Sequence, residues 1–206
     1  LRLVAMSATL DGARFGALLG DAPVVKSEGK IWPLDLRHIG PRAEDRLEPS
    51  VLRAVRQALA DEPEGDMLTF LPGAADIERA ATAVEEARLP LAVHRLHGQI
   101  DPALQRKALV RDPEGRRKLI LATSIAETSL TIDGVRIVID AGLSRRPRFD
   151  KAAGIARLVT ERASQASATQ RAGRAARQGA GVAYRLWEAA ATAGMPPFDP
   201  PEIHEN

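Results

Sequence analysis

The 206-residue chain contains no cysteine, so disulfides and cysteine metal sites are excluded. Aromatic residues make up only 3%, too few for a base-stacking platform of the kind that single-strand-binding sheets use. No apolar run approaches the ~20 residues of a membrane span, and no membrane partner is expected. His38, His94, His97 and His204 lack the company of other metal ligands, and no metal site is expected from them. No Gly-x-x-x-x-Gly-Lys-Ser/Thr phosphate loop occurs anywhere in the chain. The start, Leu1 to Ser7, has no initiator Met and no long apolar core before a cleavage site, so it reads as a strand entered mid-stream rather than a signal peptide. The end, Pro200 to Asn206, reads as equally unfinished. A piece of a longer, cytoplasmic protein is the expectation.

What remains is ordinary for a globular α/β protein: 45% hydrophobic, 27% charged, net charge +2. That balance fits a nucleic-acid partner without demanding one. Short apolar runs bounded by turn residues predict strands at Val24–Val25, Leu34–Ile39, Met67–Leu71, Leu91–Leu96, Lys118–Ala122, Val135–Ile139 and Val182–Leu186. Helical periodicity predicts helices over 13–20, 48–60, 74–88, 101–110 and 164–177, with a hairpin within 147–160. Strands that alternate with helices and are apolar throughout argue for a doubly wound, mostly parallel sheet.

Gln170-Arg171-Ala172-Gly173-Arg174-Ala175-Ala176-Arg177 packs three arginines and a glutamine among small residues. On an α-helix, at about 100° per residue, Gln170, Arg174 and Arg177 fall within roughly 60° of one another, and Arg171 points away. Two planar guanidiniums on one uncrowded face suit the charge of a phosphoryl group in transfer. Alone, the run reads equally well as a solvated basic face.

The stretch Ala122 to Gly134 follows a buried strand and carries hydroxyls at Thr123, Ser124, Thr128 and Ser129. Beyond the carboxyl end of a strand, such hydroxyls and turn N–H groups can cradle phosphate oxygens, and Asp133 can accept from a ribose hydroxyl. A capped loop uses the same residue types, and composition leaves both readings open.

These two strings resemble motifs V and VI of the DEAH/RHA-type superfamily 2 helicases. Met6-Ser7-Ala8-Thr9-Leu10 resembles motif III. Leu68 to Gly73 resembles motif IV, and Leu96-His97-Gly98 the motif that follows it. The five occur in the family's order over nearly the whole chain, and the strongest likeness is to the bacterial HrpB-type RNA helicases, to which Ile137–Asp150 and Tyr184–Trp187 add.

The resemblance implies a RecA-like α/β domain, the second of two. It implies a remnant of the first domain over 1–22, the second domain over 23–190, and a linker toward a winged-helix region over 191–206. It assigns Gln170 to the attacking water, Arg174 and Arg177 to the role of arginine fingers, and Asp133 and Gly134 to the nucleotide. Thr123, Ser124, Thr128, Ser129, His97 and Gly98 would contact the RNA backbone, and Ser7 and Thr9 would couple ATP state to domain movement. Arg171 would make structural or interdomain contacts. ATP with Mg²⁺ would be held mainly by the first RecA-like domain, which supplies the missing phosphate loop and an Asp-Glu-x-His run. The implied partners are single-stranded RNA and that first domain, and no protein partner can be named. A DNA-directed motor of the same superfamily and a non-catalytic RNA-binding scaffold are the alternatives. Ser124, Ala176 and Gly98 depart from the residues usual in the family at those positions. No aromatic stands near Ala108–Leu109 to stack on a base, so selectivity for adenine is expected to be loose.

Overall fold

The computed structural model describes residues 4, 16–25, 32–40, 46–128, 132–150 and 154–200. Ser7, Thr9 and Ser129 lie outside them, as does the side chain of Thr128. The chain divides into two units, Leu1–Ile31 and Trp32–Asn206. In the first, residues 16–18 form a single helical turn, and 22–25 run without strand pairing, so the strand expected at Val24–Val25 is not formed.

The second unit is built on strands β1 (Leu34–His38), β2 (Asp66–Phe70), β3 (Ala92–Leu96), β4 (Lys118–Ala122), β5 (Val135–Asp140), β6 (Leu143–Asp150), β7 (Ile155–Arg162) and β8 (Gly181–Arg185). Its helices are α1 (Leu47–Asp61), α2 (Ala74–Glu86), α3 (Pro102–Leu109), α4 (Ile125–Thr128) and α5 (Gln165–Ala172), with a 3₁₀ stretch at Ala189–Gly194. Six strands form one sheet in the order β1-β8-β5-β2-β4-β3, every pair parallel. β6 and β7 form a separate antiparallel hairpin. No helix among the described residues is long and apolar enough to cross a membrane.

Residue spacing explains the layers. In α1, Val51, Ala54, Val55 and Ala58 recur at helical intervals, as do Ile77, Ala80, Ala81 and Val84 in α2. Both faces pack against Met67, Leu119, Leu121, Ile137, Ile139, Val182 and Tyr184 on one side of the sheet. The alternate residues Leu68, Phe70, Ile120, Ala122, Val138 and Ala183 meet α3, α4 and α5 on the other side. β4 is buried at all five positions because helices cover both of its faces. Burial of each of its large apolar side chains stabilises the fold by roughly 1.5–3 kcal/mol.

The register shifts between Asp66 and Met67, which pair with Val135 and Ile137. Arg136 is the extra residue, so Val135 and Ile137 face opposite layers. α3 begins with Pro102 in its first turn and the Asp101 side chain accepting from the Ala103 N–H at 2.7 Å.

Candidate functional site

The strands end together. The Thr123 N–H donates to Leu96 O at 3.2 Å, Leu71 N–H to Ala122 O at 2.8 Å, Ala141 N–H to Phe70 O at 3.2 Å and Leu186 N–H to Asp140 O at 2.9 Å. These bonds tie the carboxyl ends of β3, β4, β2, β5 and β8 into one rim. His97 and Thr123 lie half-buried at that rim, with Gly98 and Ser124 exposed beside them. A Cβ on Gly98 would meet nothing within 4 Å, so the chain there opens onto free space.

Past the rim the chain turns into α4. Ala126 N–H donates to Thr123 O at 3.2 Å and Glu127 N–H to Ser124 O at 2.9 Å. Ala126 fills the core, and Glu127 becomes the hub of a polar network. Arg171, on α5 and only 1% exposed, donates through Nε to Glu127 Oε1 at 2.8 Å. Its Nη1 donates to Asp140 Oδ1 at 3.0 Å and Leu143 O at 3.1 Å, and its Nη2 to Ser144 Oγ at 2.9 Å. The guanidinium also lies over the Phe70 ring, 5.3 Å from its centroid. Burial disfavours its charge, but Asp140 and Glu127 outweigh that and raise its pKa. Arg171 is therefore a structural cation that joins α4, β5 and the start of β6.

The arginine run departs from the expected helix over 164–177. α5 starts where Ser164 caps it, its hydroxyl accepting from the Ser167 N–H at 3.0 Å, but it ends at Ala172. Beyond that, Arg174 N–H donates to Arg171 O at 3.0 Å, Ala175 N–H to Ala172 O at 3.0 Å and Ala176 N–H to Gly173 O at 3.3 Å. These bonds span three residues, so the run winds more tightly than an α-helix. The 100° spacing behind the shared face does not apply past Ala172. Gln170 is half-buried on α5, Arg174 is 4% exposed and Arg177 is exposed.

Arg174 Nε donates to the main-chain oxygen of Glu127 at 2.8 Å. Burial and the neighbouring charge of Arg177 push its pKa down to about 10, partly opposed by Glu127. The tight turn needs Gly181 beside it, because a Cβ there would overlap the main chain of Ala175.

Asp133 and Gly134 lie at the other end of the sheet, just before β5. The Gln178 amide donates to Asp133 Oδ1 at 3.0 Å, and its carbonyl accepts from the Gly134 N–H at 3.2 Å. Gly134 has φ 87°, and a Cβ there would sit 2.9 Å from Asp66 Oδ2, so glycine suits the position twice over. The stretch Thr123–Gly134 is thus not one cradle. Its hydroxyl end lies at the carboxyl rim, and its Asp133 end lies beside the residue that follows the arginine run.

Sequence reasoning missed Glu127, Ser167 and Gln178. A lone acid among hydroxyls and apolar residues was the only local signal for Glu127; its partner Arg171 is 44 residues away. Nothing local distinguished Ser167 or Gln178.

Residues 50–179 match the family model described as the helicase conserved C-terminal domain. The chain belongs to this family. It is 43% identical over 187 residues to the ATP-dependent RNA helicase HrpB of Escherichia coli (strain K12), which covers 90% of this chain and 23% of that protein. It is 37% identical over 220 residues to the probable ATP-dependent RNA helicase DHX34 of Homo sapiens, which covers 98% of this chain and 19% of that protein. A crystal structure of the E. coli DExH-box NTPase HrpB superposes with a TM-score of 0.88 at 42% identity, over 96% of this chain and 24% of that one. The helicase C-terminal domain described above is therefore of the DEAH/RHA type and RecA-like in fold, and it spans less than a quarter of the length of these relatives.

Proposed function

We propose that the domain is the second RecA-like half of an ATP-dependent RNA helicase motor, with Arg174 and Arg177 as arginine fingers and Gln170 directed at the attacking water. The nucleoside triphosphate is held by a phosphate-loop domain elsewhere in the same protein. As that domain closes on this one, the γ-phosphoryl group meets the guanidiniums, which stabilise the charge on its equatorial oxygens. Such fingers contribute on the order of 10³–10⁵ in rate. Asp133 and Gly134 receive the ribose side of the nucleotide.

The reading assigns the Mg²⁺ that accompanies the triphosphate, like the triphosphate itself, mainly to the phosphate-loop domain. The reading gives His97, Gly98, Thr123 and Ser124, with Thr128 and Ser129, to the phosphates of single-stranded RNA. It gives Ser7 and Thr9 to coupling between the two domains.

One observation carries this reading. The four residues of α4 join the rim hydroxyls to the main-chain oxygen that holds Arg174. A shift of nucleic acid at Thr123 and Ser124 is thereby passed to the cation that acts on phosphate. Burial next to Arg177 already disfavours the charge of Arg174, and an approaching phosphate relieves that penalty.

The test is ATP turnover by the full-length protein with RNA, with DNA and with neither. Stimulation by RNA is the expected result. Stimulation by DNA alone would make the protein a DNA-directed motor, and no turnover would favour a binding scaffold.

A further inference from the structure

The polar network does not stop at Glu127. Residues 195–200 close over the start of α5. The Gln165 N–H donates to Pro196 O at 2.8 Å, and the Ala166 N–H to Pro197 O at 3.1 Å. Gln165 Nε2 donates to Met195 O at 3.0 Å. The segment thus satisfies N–H groups that a helix start leaves open. Its Asp199 pairs with Arg146 of the hairpin. Burial tends to raise the Asp199 pKa, but the Ser164 and Ser167 hydroxyls and Arg146 lower it overall, so the carboxylate stays charged.

Ser167 stands between two carboxylates. Its Oγ lies 2.9 Å from Asp199 Oδ2 and 3.3 Å from Glu127 Oε2. A hydroxyl carries one hydrogen and donates to one acceptor at a time. The shorter contact is the one to Asp199. If Asp199 withdraws, the hydrogen passes to Glu127. The other oxygen of that carboxylate holds Arg171, and its main-chain oxygen holds Arg174.

We propose that Ser167 is a positioning residue, whose single hydroxyl hydrogen ties the segment 195–200 through Glu127 to the attitude of Arg174. Movement of the segment changes which carboxylate receives the hydrogen, and with it how Glu127 holds the finger. Ser167 is buried. The proposal rests on the reading of Arg174 as a finger.

The test uses the full-length protein and its S167A, S167T, D199N and S167A/D199N variants. Turnover number, KM for ATP and Kd for single-stranded RNA are measured, together with backbone hydrogen exchange across 171–178. S167A is expected to lower kcat about tenfold while KM and Kd stay within about twofold, the size of effect a hydrogen bond to a charged group carries. S167T, which keeps the hydroxyl, restores kcat. The losses in the double variant are expected to be less than additive, because S167A and D199N share the Ser167–Asp199 contact while D199N also weakens the pair of Asp199 with Arg146. Wild-type kcat in S167A, failure of S167T to restore it, or additive losses in the double variant would overturn the proposal. A wild-type protein without RNA-stimulated turnover would instead sink the reading of Arg174. Exchange then decides the tie on its own: faster exchange in S167A that S167T reverses supports it, and unchanged exchange overturns it.

Discussion

Arg174 Nε donates to the main-chain oxygen of Glu127 at 2.8 Å, so the candidate finger is held by the backbone of the helix that follows the rim hydroxyls. The contact uses one edge of the guanidinium fork. In the full-length protein, Arg174→Ala is expected to lower ATP turnover by about 10³-fold or more. RNA binding is expected to persist, because the rim residues are untouched. Parallel turnover and RNA-affinity measurements check this, and unchanged turnover would refute the role.

Arg171 is expected to matter for folding more than for chemistry. Arg171→Ala leaves Glu127 and Asp140 without their shared cation, in a site where both contacts are shielded from water. Breaking a buried pair in this way costs about 3–5 kcal/mol. Arg171→Lys keeps the charge but loses the fork that reaches Glu127, Asp140 and Ser144 together, and should recover only part of the loss. Denaturant unfolding of the chain measures both.

Gly181 opens β8 directly against the turn that carries Arg174. A methyl group at Gly181 overlaps Ala175, which is itself fully buried, so one of the two backbones must move. Gly181→Ala is expected to destabilise the domain by about 1–3 kcal/mol. Turnover of the full-length protein should fall further than RNA affinity, since the turn bears the candidate finger and not the rim.

His94 gives the fold a pH dependence of definite sign. Its pKa lies below the ordinary 6.5, first because it is partly buried and second because Lys118 is near, with Asp112 and Asp66 opposing. Nε2 is buried without a hydrogen-bond partner among the described residues. Between its folded pKa and 6.5 the unfolded chain binds more protons than the folded one. Stability is therefore fully present above about pH 6.5 and declines as the pH falls through that window. The unfolding midpoint should drop between pH 7 and the onset of carboxylate titration, and His94→Gln should flatten that part of the profile.

The local parts of the fold were legible because local pattern decided them. Lys118–Ala122 appears as β4 at the expected bounds, since five residues buried on both faces leave one long apolar run and little else. The spacing of Val51, Ala54, Val55 and Ala58 likewise marked α1. The bounds failed where tertiary contacts took over. The arginine run looks helical through Arg177, yet Gly181 and β8 press on Ala175 and the winding tightens after Ala172. The hairpin begins four residues earlier than expected, at Leu143 rather than Pro147, because Gly142 at φ 69° turns the chain directly out of β5.

The site was legible as residue types and not as connections. His97 and Thr123 sit side by side because β3 and β4 are neighbours, which spacing alone does not encode. The link from Gln178 to Asp133 spans 45 residues, and that from Ser167 to Asp199 spans 32. Neither leaves a local trace in the sequence.

The most direct measurement compares ATP turnover, in the presence of single-stranded RNA, by this 206-residue chain alone and by the full-length protein. The account predicts no turnover by the chain alone, which carries the candidate fingers Arg174 and Arg177 but no phosphate loop, and RNA-stimulated turnover by the full-length protein. Turnover by the isolated chain at a rate near that of the full-length protein would contradict it.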